Sequence, residues 1–217
     1  MKDDYLFKGT PLTRRRFLKL TSLSIAGLAA GCAVNPVTGR QQLMLVSEEQ
    51  ELSIDKKNSP HQFSVDYGVM QDQQLNNYIN TVGKKIAIRT HRPDMPYSFR
   101  GVNAAYINAY AFPGGSIAAT RGILLAMENE SQLAALLGHE LAHINARHTA
   151  SQMSKSMLGN AFLSGAVAYA GQRQYGKLTE QIGMLSAGIL LASYSRDNER
   201  EADSIGMQYM VAAGYNT

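Results

Sequence analysis

The stretch Leu136–Ala150, LLGHELAHINARHTA, constrains this chain more than any other, because it carries three of the five histidines, two of them at a spacing that suits one face of a helix. Leu133, Leu136, Leu137, Leu141 and Ile144 recur at helical intervals around it, and Asn129 with Gln132 three residues on supplies a helix start. Each helical residue advances about 100°, so His139 and His143 lie about 40° apart and share a face. Glu140 sits about 100° round from His139, beside the pair and not within it. Two imidazoles four residues apart with an adjacent carboxylate form the donor pattern of a hydrolytic zinc site: two ligands and a general base. The competing reading is a helix that merely carries histidines. His148 lies about 180° from His139 on a straight helix. Unless the helix ends before it, it is therefore expected to face away from the metal, holding a helix end or a neighbouring carboxylate.

A catalytic zinc takes three protein ligands and keeps one position open. No further histidine-rich spacing follows His148, and the single cysteine is Cys32. The useful stretch is SYSRDNEREADSIGMQYM, Ser193–Met210. Glu199 and Asp203 are four apart and share a helical face, so Glu199 can bind the ion while Asp203 accepts the far N–H of a zinc histidine. Glu201 is the rival ligand, about 200° round from Glu199 and without a same-face partner. Taken by itself, SRDNEREAD reads as a solvated charged helix. Next to His-Glu-x-x-His it reads as the missing carboxylate.

The first residues read as a targeting segment. TRRRFLKL, Thr13–Leu20, places paired arginines before a short apolar run, and the run ends in LAAGC. The pattern resembles a twin-arginine export signal closing in a bacterial lipoprotein cleavage box, with Cys32 as the lipidated residue. The alanine after the cysteine favours the outer membrane over the inner. Residues 1–31 hold six basic and two acidic side chains, which leaves the remainder with 15 of each sign. A formally neutral body argues against nucleic acid as a partner.

Further along, AVNPVTGR is turn-rich, and 32–46 reads as a lipid-anchored tether leading into the fold. Ser47 with Gln50 three residues on signals a capped helix, and Leu75, Tyr78, Ile79, Val82 and Ile86 mark another. HRPDMP is a loop, with His91 a surface or capping residue. YSFRGV, AYINAYAF and SIAAT read as strands around a Pro113–Gly115 turn. The apolar runs MLGNAFLSGAVAYAG and IGMLSAGILLAS read as two packed helices, each short for a bilayer span.

HELAH with SRDNEREAD downstream resembles the zinc metallopeptidases that include the CAAX prenyl endopeptidases and the HtpX heat-shock proteases. NPVTGRQQLMLVSEEQE, NAYAFPGGSIAATRGIL and GHELAHINARH are similar to the exported bacterial members of that group. The resemblance implies an α+β, predominantly helical zincin-type domain over 47–217, with a small β-sheet beside the active-site helix. It implies one Zn2+ per chain on His139, His143 and Glu199, with Glu140 as the base and Asp203 in support. It also implies that AYAFPGGSIAAT borders the cleft, where an extended substrate could add as a strand. Members of the group usually continue past the position of Thr217, so the expectation is a fragment or a short member. A downstream histidine that assists the oxyanion in relatives has no counterpart in this sequence.

The expected function is zinc-dependent endopeptidase activity on unfolded or misassembled envelope proteins, carried out by a periplasm-facing lipoprotein. The alternative is a zinc-binding, chaperone-like quality-control factor with little proteolysis.

Overall fold

The fold is organised by where its helices start and how closely two of them approach. The computed structural model describes residues 32–169 and 194–216. Residues 1–31, read above as an export signal, the Cys32 side chain and the second apolar run at 182–193 lie outside the described residues. Strands β1 (Cys32–Val34) and β2 (Gln41–Leu43) form a two-stranded sheet. Helices α1 (Glu48–Val65) and α2 (Gln73–Ala87) follow, then β3 (Ser98–Val102), β4 (Ala109–Ala111) and β5 (Ser116–Thr120). Helices α3 (Arg121–Ala126), α4 (Glu130–Asn145), α5 (His148–Tyr169) and α6 (Arg196–Ala212) complete it. This is the α+β, mostly helical architecture expected.

The caps follow the sequence signals. Ser47 caps α1 in a full capping box with Gln50, Asp72 caps α2 through Leu75 N–H, and Asn129 caps α4 through Gln132 N–H. The stretch AYINAYAF is a strand only over Ala109–Ala111; Tyr106 and Ile107 lie in an exposed loop before it. Helix α3, directly after β5, went unread in the sequence because its six residues are too few to show a period.

The three-stranded sheet has the order β3-β5-β4, with β5 parallel to β3 and antiparallel to β4, so that β4 is an edge strand. Phe99 pairs with Ile117 in one ladder and Ala109 with Ala119 in the other. The main core lies between α2, the sheet, α4 and α6. Ile79, Ile86, Ile117, Leu137 and Leu141 are fully buried there. The stretch 33–46 packs onto the domain: Met44 and Val46 are buried, and Asn35 Nδ2 donates to Ala146 O.

Helices α4 and α6 meet at two glycines. A Cβ on Gly138 would stand 2.8 Å from Gly206 O, and one on Gly206 would stand 2.7 Å from His139 N. Only hydrogen at both positions permits this approach, and it brings the first half of α6 alongside His139. No helix among the described residues is long and apolar enough to cross a membrane.

Candidate metal centre

Helix α4 presents His139 and His143 on one face, and α6, capped by the Ser195 side chain through Asn198 N–H, presents Glu199 and Asp203 toward them. His139 Nε2 and His143 Nε2 are 3.0 Å apart. Glu199 Oε2 lies 3.6 Å from His139 Nε2, and Glu199 Oε1 lies 3.8 Å from His143 Nε2. The three groups can each offer a ligand atom within 4.8 Å of the others. Donors on a tetrahedral ion at zinc–nitrogen and zinc–oxygen bond lengths stand roughly 3.3–3.5 Å apart, so the triangle is close to the required size. Nitrogen and carboxylate donors, with no sulfur, also suit Zn2+.

Glu140 is 7% exposed, and no hydrogen bond to its carboxyl is present among the described residues. Burial, with the charge of Glu199 added, pushes its carboxyl up to about 8. Burial, with His139 and His148 nearby, pulls His143 down to about 2, so its imidazole is neutral and keeps a lone pair for an ion. A buried carboxyl with no cationic side chain beside it among the described residues, two ring nitrogens in contact and a second carboxylate facing them together form a donor set that suits a divalent cation.

Asp203 Oδ1 lies 2.8 Å from His139 Nδ1, where it accepts that N–H and leaves Nε2 toward the cluster. Glu201 does not join the cluster; its Oε1 faces His148 Nε2 at 3.5 Å. The helix ends before His148, the exception to the straight-helix expectation, and the ring faces a neighbouring carboxylate. Helix α4 ends at Asn145, Arg147 adopts φ +58°, and the chain reverses. The His148 ring comes back to within 5.0 Å of the His143 ring, centroid to centroid, with Nδ1 3.0 Å from Nδ1. His91 is exposed, its Nδ1 2.6 Å from Tyr209 OH.

Sequence reading missed Tyr194. Its ring stacks on His143 at 3.9 Å between centroids, and its hydroxyl meets Thr149 Oγ1 at 2.6 Å. A single tyrosine before a helix cap carries no motif. Gly206 was missed for the same reason.

A cleft of ≈1070 Å³ opens over the cluster, lined by His139, His143, Glu140, Glu199, Tyr194 and the stretch from Tyr106 to Ala111. Its wall is the edge of β4 that pairs with no other strand among the described residues. Thr120 accepts Asn108 N–H and donates to Tyr106 O, and Tyr106 and Tyr110 both donate to Asp66, so the loop before that edge is anchored at each end.

The profile of Peptidase family M48 matches residues 73–217, a stretch that holds both His-Glu-x-x-His and Glu199. The chain belongs to that family. Among M48 relatives, the beta-barrel assembly-enhancing protease of Yersinia pestis is 30% identical over 91% of this chain and 43% of its own length. The protein of the same name from Escherichia coli (strain K12) is 30% identical over 68% of this chain and 31% of its own. A eukaryotic relative, the mitochondrial metalloendopeptidase OMA1 of Arabidopsis thaliana, is 29% identical over 77% of this chain and 33% of its own. The chain thus spans less than half the length of these curated relatives.

Proposed function

We propose that the chain is a zinc-dependent metalloendopeptidase of cell-envelope protein quality control, acting on unfolded or misassembled polypeptides. The observation that carries this reading is the cluster of His139, His143 and Glu199 beside the buried Glu140 carboxyl, at the floor of a cleft walled by strand β4. In this reading His139, His143 and Glu199 hold one Zn2+ and Asp203 orients His139. The names of the two beta-barrel assembly-enhancing relatives support the envelope role. The export segment 1–31, a lipid on Cys32 and an outer-membrane, periplasm-facing location complete the proposal. Residues 32–46 then lead from the anchor into the peptidase domain, 47–217.

A bound zinc supplies Lewis acidity, lowering the pKa of an attacking water and polarising the scissile carbonyl. The chain's own groups do the rest. The edge of β4 pairs with the backbone of an extended substrate and fixes its register over the cluster. Glu140 takes the proton of the attacking water and delivers it to the leaving amine. Its raised affinity for a proton in the chain alone falls when a cation neighbours it, which gives the carboxylate form a base requires.

Turnover of an unfolded polypeptide such as casein, with and without a chelator, tests the proposal. Cleavage abolished by the chelator and restored by Zn2+ supports it. Zinc binding without cleavage would instead favour the chaperone-like factor.

A further inference from the structure

The two histidines facing the cluster are held from behind in different ways. His139 has a carboxylate directly on Nδ1, the 2.8 Å contact with Asp203. His143 has none. Its Nδ1 meets another imidazole nitrogen, His148 Nδ1, at 3.0 Å, and the other nitrogen of that ring faces Glu201.

Donor and acceptor accounting fixes the protons along this line. An ionised Glu201 can only accept, so the nitrogen facing it, His148 Nε2, carries the hydrogen. In a neutral imidazole the other nitrogen, His148 Nδ1, is then an acceptor. Its partner, His143 Nδ1, must therefore donate, and His143 Nε2 keeps its lone pair on the side of His139 and Glu199. Asn35 Nδ2, 3.4 Å from Glu201 Oε1, donates to the same carboxylate and holds it in place. His148 is 3% exposed and His143 is 2% exposed, so water cannot readily substitute for either partner. Tyr194, stacked on His143, prevents the ring from swinging out of line.

We propose that His148, oriented by Glu201, is the positioning residue for His143, fixing the tautomer and ring angle with which it meets the metal. This rests on the metal reading above. The two ends of the line come from one helix: Glu201 and Asp203 both project from α6, reaching opposite ends of the imidazole row. The turn that returns His148 to His143 is in turn held by Arg147, whose Nε donates to Glu51 Oε1 at 2.9 Å.

The test compares two replacements of similar size in the full chain. In His148→Asn the amide oxygen can take the place of Nδ1 as acceptor; in His148→Leu nothing can. Zinc affinity is read by competition with a chromogenic chelator. The expected result is an affinity about 10–100-fold weaker for His148→Leu, the usual loss for such a supporting partner, and within a few-fold of the parent for His148→Asn. Equal weakening of both variants would reduce His148 to a packing role and overturn the proposal, as would parent-like affinity in both. Should His148→Leu fail to fold, long-range proton–nitrogen spectra of the zinc-loaded parent decide the matter. Hydrogen on His148 Nε2 and His143 Nδ1 supports the proposal; hydrogen on His148 Nδ1 overturns it. A parent that binds no zinc at all would overturn the metal reading along with it, whereas a parent that binds zinc as tightly as His148→Leu overturns this inference alone.

Discussion

Two carboxyls are buried around helix α4, and their surroundings are opposite. Glu51 is 0% exposed, yet Arg92 Nη2 and Arg147 Nε each stand 2.9 Å from it. Those guanidiniums also donate to Ile144 O and Val46 O, so the group closes on itself. Burial pushes the Glu51 carboxyl up, and the two arginines oppose that shift. Glu140 is about as deeply buried, and there the neighbouring charge is another carboxylate, Glu199, which adds to the effect of burial. One buried acid is ion-paired within its own chain; the other meets no cationic side chain among the described residues. The paired one holds a turn, and the other lies beside the group proposed to hold a metal.

Exchanging the acids one at a time tests the contrast. The largest effect is expected for Glu140→Gln, which is nearly isosteric: turnover drops by about 10²–10⁴-fold, the worth of a general base, while the metal-free chain unfolds at the same denaturant concentration or higher. A marked fall in stability would mean that Glu140, like Glu51, is a structural acid. Glu51→Ala should do the reverse. It strands two buried guanidiniums and lowers unfolding stability by about 3–5 kcal/mol, measured by urea titration. A change under about 1 kcal/mol would show the arginines reaching water.

The next effect tests the helix crossing that unites the centre. Gly206→Ala forces a methyl against the His139 backbone and should cost about 1–3 kcal/mol, with weaker zinc binding, because Glu199 and Asp203 move with α6. Unchanged zinc affinity would separate the crossing from the centre. The smallest effect is expected at Asn129→Ala, about 1 kcal/mol from the lost cap of α4, read as a thermal shift with zinc stoichiometry intact.

What the sequence disclosed follows from how local each cause is. Caps at Ser47 and Asn129 and the four-residue spacings in α4 and α6 act within one helix, so they were readable. Bringing Glu199 to His139 also needs Gly138 against Gly206, a contact between residues 68 positions apart that neither helix announces. His148 shows the limit plainly. Helical spacing places it only if the helix continues, whereas α4 ends at Asn145 and Arg147 takes a left-handed conformation held by an ion pair with the distant Glu51. The segment at 33–46 gave only turn signals. Its packing on Ala146 and Ser154 depends on surfaces that exist once α4 and α5 have formed.

Everything proposed for the cleft depends on a zinc held by His139, His143 and Glu199 beside the buried Glu140 carboxyl. Calorimetric titration of the full chain with Zn2+, parent against Glu199→Ala, tests this most directly. The account predicts about one zinc per parent chain and loss of tight binding in Glu199→Ala. A parent that takes up no zinc, or a Glu199→Ala chain that binds it as tightly as the parent, would contradict it.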